Sequence, residues 1–380
     1  TVQPTPEVPD APLAGLTTLY NGNGANLTIT NGIDLAGEGG MVWIKQRDGV
    51  SGDHVLYDTL NGVGSFLSSN SSQQETLVAN GLTAFNSDGF NLSGYYKVNN
   101  DPYSEFVAWT FGKAAGYFDV VKFTSSNATA FQTVPHSLGT MPGLILTKEI
   151  GGDGDWYCYH SAIGDDGYVT LNTSAASTSF DLWRTSDTDF QIKVSSLYGD
   201  GNEIIAYLFA EDTPSVIKCG SYVGNSDSRG PIVTTGFEPQ WLLIKKAIDG
   251  QYDFAQSWVI LDNKRNPSNS RNTALFPDQG SVENTTSSNN VDFNSDGFTI
   301  RTSNETFNGT DSTYIYVAIA APPPAVSMTP AQLAEAKLKF ATFENRSMVK
   351  CGNDAEAARD ALIQELALDG YSLTEILNYL

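Results

Sequence analysis

Residues 241–245 (Trp-Leu-Leu-Ile-Lys) form a short apolar run that ends in a lysine. Consecutive apolar residues without alternation are typical of a strand that is covered on both faces at the centre of a sheet. The lysine then marks the rim of that sheet. Similar runs occur at 41–45 (Met-Val-Trp-Ile-Lys) and 144–148 (Leu-Ile-Leu-Thr-Lys), so the three lysines are spaced by about a hundred residues.

Two further patterns repeat in the same order. The turn sequence Phe-Asn-Ser-Asp-Gly-Phe occurs at 85–90 and again, identically, at 293–298, with a degraded copy at 186–190. A closing strand follows each copy, at 106–109, 204–207 and 316–319. A period of this length matches one β-sandwich, so the chain is predicted to carry three sandwich units in tandem.

The repeated turn is predicted to have a structural role. Asp88-Gly89 and Asp296-Gly297 supply the positive φ that a tight hairpin needs, and a phenylalanine flanks the turn on each side. A direct ligand role for Asp88 or Asp296 is the less favoured alternative. By the same logic Trp43, Trp109 and Trp241, which lie in central strands, are expected to be buried.

Composition supports a folded, mainly β protein of several domains. The chain has 380 residues, of which 40% are hydrophobic and 17% charged, with 35 glycines, 17 tyrosines and 19 phenylalanines. This length suits two to four domains. From residue 11 to about 322, β-branched and aromatic runs are divided by Asn-Gly, Asp-Gly and Gly-Asn pairs, which is the turn chemistry of hairpins.

Charge and reactive residues argue against several classes of protein. The formal net charge of −22 repels phosphate backbones and anionic bilayers, so no nucleic-acid or membrane partner is expected. The chain contains only three histidines and three well-separated cysteines, Cys158, Cys219 and Cys351, which are predicted to be buried or idle. No nucleophile elbow, zinc-protease or nucleotide-loop motif occurs. The chain is therefore predicted not to be an enzyme.

The two ends of the chain differ from its centre. Residues 1–11 carry Pro4, Pro6 and Pro9 and suggest an extended arm without the features of a secretory signal, so synthesis in the cytoplasm is expected. A proline-rich linker is predicted at 322–328 and a small α-helical domain at 329–380. That domain is either a self-contained helical hairpin or docks through an apolar stripe that includes Leu366, Leu373, Ile376, Leu377 and Leu380.

The predicted organisation is thus an arm, three units, a linker and a helical region. The three β-sandwich units are assigned to 12–115, 116–213 and 214–321.

Within these units the sequence resembles a known group of proteins. The segments 134–148, 156–160 and 40–49, together with the turn at 85–90, resemble modules of virion proteins of tailed bacteriophages, particularly marine ones. The resemblance covers about residues 12–320 and implies concanavalin-like or laminin-G-like jelly rolls, but it supplies no functional residues. The chain departs from the pattern where unit 1 lacks a clear proline-glycine entry strand and where unit 2 lacks the Asp-Gly pair at Thr188-Asp189.

The resemblance implies a non-enzymatic structural protein on the exterior of a phage particle, made in the host cytoplasm. Its role would be that of a tail-associated or decoration protein, anchored through its termini. The expected partners are other virion proteins and copies of itself. A glycan-binding or glycan-cleaving module for host recognition is the alternative.

Two candidate sites remain open. Glycans could stack on aromatic side chains near polar loops, whereas core packing is the favoured alternative for the same residues, namely Trp156, Tyr157, Tyr159, Trp183 and Trp258. No cofactor is required, but Asp153 and Asp155 place two carboxylates in one turn, which leaves calcium binding as an alternative to a solvated turn.

Overall fold

The structure is a computed structural model, and it describes residues 14–49, 51–128, 130–250 and 255–322. These residues form 28 β-strands, one short α-helix, α1 (Glu305–Asn308), and the 3-10 turns Val194–Ser196 and Ser287–Asn289. The mainly β prediction is confirmed. Across these ranges no helix has the length and apolar character needed to cross a membrane. The predicted N-terminal arm and C-terminal helical region lie outside the described residues.

The strands group into three successive lobes. Lobe 1 contains β1 (Thr17–Asn21), β2 (Leu27–Thr30), β3 (Gly40–Gln46), β4 (Val55–Asp58), β5 (Ser65–Phe66), β6 (Thr76–Leu77), β7 (Leu82–Asn86), β8 (Gly89–Leu92) and β9 (Glu105–Gly112). Lobe 2 contains β10 (Phe118–Thr124), β11 (Gln132–Pro135), β12 (Pro142–Glu149), β13 (Tyr157–His160), β14 (Gly167–Thr170), β15 (Thr178–Ser179), β16 (Trp183–Thr185), β17 (Asp189–Ile192) and β18 (Glu203–Ala210). Lobe 3 contains β19 (Asp212–Thr213), β20 (Ile217–Val223), β21 (Ile232–Thr234), β22 (Pro239–Ile248), β23 (Val259–Asp262), β24 (Thr273–Ala274), β25 (Asn284–Thr285), β26 (Val291–Asn294), β27 (Gly297–Ile300) and β28 (Thr313–Ala320).

The three lobes share one antiparallel strand order. The large sheets share a four-stranded order, β1-β9-β3-β4, β10-β18-β12-β13 and β20-β28-β22-β23, which continues into β14-β15 in lobe 2 and is preceded by β19 in lobe 3. The small sheets run β2-β8-β7, β11-β17-β16 and β21-β27-β26, and each lobe adds one short hairpin, β5-β6, β14-β15 or β24-β25. The register is also equivalent, because Trp43 pairs with Trp109, Leu146 with Tyr207 and Leu243 with Val317. The chain therefore repeats one topology three times.

The central strands of each large sheet are buried on both faces. In lobe 1, Val42 and Ile44 pack in the core of that lobe, whereas Met41 and Trp43 belong to a second core. Successive residues of a strand point to opposite faces, so the two cores lie on either side of the sheet. The second core also includes Tyr207 of lobe 2 and residues of lobe 3, such as Trp241 and Val317. The non-alternating apolar runs are thus explained by packing between lobes.

The predicted burial of the central tryptophans is confirmed, since Trp43, Trp109 and Trp241 are fully buried. The shared core also makes the described residues up to Ala321 one compact unit. The predicted boundaries of the three units stay predictions. The lobes pack against one another through the shared core and are not separate domains.

The repeated turn brings two neighbouring strands of the small sheet into close contact. Gly89 has φ +146° and Gly297 has φ +150°. A Cβ atom at Gly89 would meet the carbonyl oxygen of Ile29 at 2.0 Å, and one at Gly297 would meet that of Val233 at 2.0 Å. Glycine is therefore required at both positions, which supports the structural interpretation of the repeated hexapeptide.

Candidate functional site

The most distinctive polar groups are the three lysines that end the repeated strands. Lys45, Lys148 and Lys245 are fully buried. The lysines lie near the ends of β3, β12 and β22, where the sequence predicted the rim of each sheet, and this rim is buried.

Each lysine donates hydrogen bonds to backbone carbonyls. The first acceptor is the next residue along the chain, with Nζ–O distances of 2.8 Å for Lys45, 2.9 Å for Lys148 and 2.6 Å for Lys245. The second acceptor of Lys45 is Gly280 of lobe 3 at 3.4 Å, and that of Lys245 is Ser174 of lobe 2 at 3.1 Å. Lys45 and Lys245 thus join strand ends to loops of other lobes, whereas the second acceptor of Lys148 is Gly152 of its own lobe at 2.9 Å.

Burial lowers the pKa of all three lysines to about 8. Nearby carboxylates oppose this shift, chiefly Asp53 for Lys45, Glu149 for Lys148 and Asp278 for Lys245. Desolvation disfavours the ammonium form, and the opposing charges only partly compensate.

Backbone hydrogen bonds close the lobes into a ring. The residue two positions after each lysine accepts, through its carbonyl, a backbone N–H from the short hairpin region of another lobe. The N–H of Glu75 donates to Ile150 at 2.8 Å, that of Ser177 to Ala247 at 2.7 Å, and that of Glu283 to Arg47 at 2.9 Å. Lobe 1 therefore contacts lobe 2, lobe 2 contacts lobe 3, and lobe 3 contacts lobe 1. Such head-to-tail contacts generate a closed ring when the rotation closes, and here the ring is completed within one chain.

Indole nitrogens add a second contact at two of the three junctions. The indole of Trp156 donates to the Ser68 carbonyl at 3.0 Å, and the indole of Trp258 donates to the Thr170 carbonyl at 2.9 Å. His54 occupies the equivalent place in lobe 1 and accepts from the Trp43 indole at 2.9 Å through Nδ1. Burial holds the pKa of His54 well below its usual value.

A third set of contacts comes from the last residue of β4, β13 and β23. Asp58 accepts from the Tyr207 hydroxyl at 2.9 Å, and Asp262 accepts from the Trp109 indole at 3.2 Å. His160 bonds through Nε2 to the Tyr316 carbonyl at 3.1 Å, while its Nδ1 accepts from the backbone of Ala162. Burial lowers the pKa of His160 to about 4, so this histidine is neutral at physiological pH.

The junction of lobes 3 and 1 carries a buried ion network. Arg265 and Asp262 are fully buried and joined at 2.5 Å, and the Arg265 guanidinium lies 5.5 Å from the Trp109 ring centre. The Glu283 carboxylate forms salt bridges with Arg265 at 3.3 Å and with Arg47 of lobe 1 at 2.6 Å. Both charges of the buried pair are thus satisfied within the interface.

The aromatic glycan candidates pack in the core. Trp156, Trp183 and Trp258 are at most 1% exposed, and Tyr159 is 4% exposed. Tyr157 is half-buried and packs edge-on against Tyr168 and Tyr198. The glycan-stacking prediction is corrected for the four buried rings because their faces contact protein, and the core alternative applies to them.

The two calcium candidates act as hydrogen-bond acceptors. Asp153 accepts from the backbone of Gln74 at 3.0 Å, which is another contact between lobes 1 and 2, and Asp155 accepts from the Asn172 side chain at 2.8 Å. Within the described ranges, no group of three or more His, Cys, Asp or Glu residues is placed to hold a metal ion. Calcium binding stays a prediction.

The remaining candidates divide between buried and undescribed residues. Cys158 and Cys219 are buried free thiols, as predicted, and burial raises the pKa of both. Cys351 and the anchor candidates lie outside the described residues: Pro4, Pro6, Pro9, Leu366, Leu373, Ile376, Leu377 and Leu380. The sequence contained a signal for the missed junction residues, since the lysines recur at equivalent strand positions.

One family model matches the chain over residues 16–323, and it is described as a domain of unknown function, DUF7483. The matched region begins just before β1 and ends just after β28, so it covers all three lobes. No curated protein and no solved structure matches the chain.

Proposed function

The chain belongs to the DUF7483 family, a domain of unknown function, and from this premise we propose that it is a non-enzymatic structural protein on the exterior of a tailed-phage particle. The proposal joins the resemblance of the repeated segments to virion proteins with the architecture of the lobes. On this proposal the protein is tail-associated or decorates the capsid.

The closed ring of lobes is the main observation that supports this proposal. The buried titratable groups that could have served chemistry, among them Lys45, Lys245 and His160, are bonded to backbone carbonyls of other lobes. Their polar atoms are used to hold the protein together. A firmly joined body of this kind suits a role in a particle that must survive outside its host.

Surface charge is compatible with an exterior position. The net charge of −22 is far from neutrality and favours a soluble, outward-facing surface that does not bind packaged DNA. The terminal segments 1–10 and 326–380 would attach the protein to other virion proteins or to copies of itself.

Localisation on intact particles tests the proposal. Mass spectrometry of purified particles should find the chain, and cryo-electron microscopy should place a three-lobed density on the particle surface. Variants that lack residues 1–10 or 326–380 should fold but be lost from particles.

Two results would count against this role. One is the absence of the chain from purified particles. The other is full occupancy of both truncated variants, which would reject anchoring through the termini.

Glycan recognition remains the second candidate function. It can no longer be based on Trp156, Trp183 or Trp258, because these rings are buried. It needs a site that is open to solvent.

A further inference from the structure

A polar cleft opens at the junction of lobes 2 and 3. Its volume is about 670 Å³, which lies within the usual range of ligand pockets, about 300–1,000 Å³. Its walls include Asn172 and Ser174 from lobe 2, and Gln256, Phe276, Asp278 and Thr306 from lobe 3. The cleft lies beside the Lys245 contact, outside the candidate sites predicted from the sequence.

The walls offer mainly hydrogen-bonding groups without a strong charge. Amides and hydroxyls predominate, and the half-buried Phe276 adds an aromatic ring. Among the described wall residues Asp278 is the only charged one, and burial raises the pKa of its carboxyl. A lipid would need a more apolar lining, and an anion would need a cationic one. A neutral, hydroxyl-rich ligand fits this lining.

Contacts between the lobes hold the walls in place. Lys245 bonds to the Ser174 carbonyl at 3.1 Å, and the Trp258 indole bonds to the Thr170 carbonyl at 2.9 Å. On the lobe 3 side, the Gln256 side-chain oxygen accepts from Thr306 at 2.8 Å. Among the described residues, no hydrogen-bond partner is found for the amide nitrogen of Gln256. Walls that are fixed before binding reduce the entropy lost on association.

Lobe 3 differs here from the other two lobes. In lobes 1 and 2 the equivalent position holds a hydrogen-bonded Asp–Asn pair, Asn70 to Asp53 at 2.8 Å and Asn172 to Asp155 at 2.8 Å. In lobe 1, Lys97 further covers Asp53 at 2.5 Å. The equivalent residues of lobe 3 are Ser257 and Asp278. The connection between Lys245 and Trp258 is also longer than the corresponding connections in the other two lobes.

We propose that the cleft between lobes 2 and 3 is a binding site for a neutral saccharide. Amides such as Gln256 bond the sugar hydroxyls, and Phe276 offers a ring to the apolar face of the sugar. The site does not depend on the proposed virion role, because its binding is a property of the isolated chain.

Ligand binding by the full chain tests this assignment. The probes are lactose, maltose, cellobiose and N,N′-diacetylchitobiose, with sialyllactose as the acidic comparison, measured by saturation-transfer NMR and calorimetry. At least one neutral saccharide should bind with a Kd of about 1 mM or tighter. Ser174→Phe, which fills the cleft, and Gln256→Ala should each weaken that binding about tenfold or more.

A matched variant separates the cleft from general effects on the junctions. Ser72 of lobe 1 lies three residues before Glu75, as Ser174 lies three before Ser177. Ser72→Phe should leave saccharide affinity unchanged. Melting curves identify variants that fail to fold, and the half-buried Gln256→Ala keeps the test valid if Ser174→Phe unfolds. Failure of all four neutral saccharides to bind, binding of sialyllactose alone, or unchanged affinity in Gln256→Ala overturns the proposal.

Discussion

Lys45, Lys148 and Lys245 place three ammonium groups inside a protein where water is excluded. Each carries hydrogen bonds to carbonyls that would otherwise be buried at a lobe junction, as Lys148 does with Glu149 and Gly152, both at 2.9 Å. The carbonyls gain donors, but the charge is held in an environment that disfavours it. The balance between these effects depends on pH.

Replacement of Lys148 by methionine should remove part of this pH dependence. The folded pKa is about 8 and lies below that of the unfolded chain. Between pH 8 and about 10.4 the unfolded state therefore binds more protons, so stability rises with pH. In that window the wild type should gain about 1.4 kcal/mol per pH unit relative to Lys148→Met. Urea unfolding from pH 7 to 10 measures the difference.

The equivalent lysine of lobe 1 provides a repeat of this experiment. Lys45→Met should show the same window, since burial also lowers the pKa of Lys45 to about 8. The double variant should lose about twice the slope. Parallel stability curves for the wild type and both variants would contradict the prediction.

The burial of the lysines could not be predicted from the local sequence pattern. A lysine after four apolar residues looks like the point where a strand meets water, but Lys45 reaches Gly280, which lies far away in sequence. No local pattern contains that partner. The recurrence of the lysine was visible, whereas its burial was not.

At the scale of single elements, the hairpins depend on backbone geometry. The carbonyl of Asp88 accepts the N–H of Asn31 at 2.9 Å, and that of Asp296 accepts the N–H of Thr235 at 2.9 Å. These bonds bring the turn against the entry strand, β2 or β21, and leave no room for a Cβ atom. Local sequence predicted this requirement because it depends on φ and on turn chemistry.

Alanine at Gly89 should destabilise the protein by at least about 2 kcal/mol, because a positive φ adds strain to the contact with Ile29. Gly297→Ala should behave alike through its contact with Val233. Denaturant midpoints measure both effects. Gly151→Ala is the control, since a Cβ atom there meets nothing within 4 Å, and an equal loss in all three variants would argue against the steric explanation.

At the scale of the whole molecule, the three lobes share one core and a closed ring of contacts. Opening any one junction exposes apolar side chains of two lobes and leaves polar groups such as the Trp109 indole without their partners. The lobes should therefore unfold together, as a single calorimetric transition with calorimetric and van't Hoff enthalpies close to each other.

Asp262→Ala should lower that entire transition. The change leaves the buried Arg265 without its main partner and removes the acceptor of the Trp109 indole, at a cost of about 3–5 kcal/mol. Scanning calorimetry gives the midpoint. Asp212→Ala, which breaks only the surface pair with Lys218, should cost less than about 1 kcal/mol. Separate transitions for the lobes, or an Asp262→Ala effect on only one of several transitions, would contradict the shared core.

The amino-acid sequence by itself determined the mainly β class, the period of about a hundred residues, the turn glycines and the burial of Trp43, Trp109 and Trp241. These features follow from side-chain hydrophobicity and backbone preference over a few residues, so a short stretch of sequence is enough to predict them. The resemblance to virion proteins added an expectation of function that the fold leaves as a proposal.

Only the tertiary structure decided which groups meet between the lobes. Trp156 contacts Ser68, Lys245 contacts Ser174, and the cleft beside that contact takes its walls from two lobes. Such partners are separated by tens to hundreds of residues, and their meeting depends on how whole sheets pack. An aromatic or lysine side chain near a turn has the same local pattern whether water or another lobe covers it, which is why the buried rings looked like a surface site and the open cleft was not foreseen.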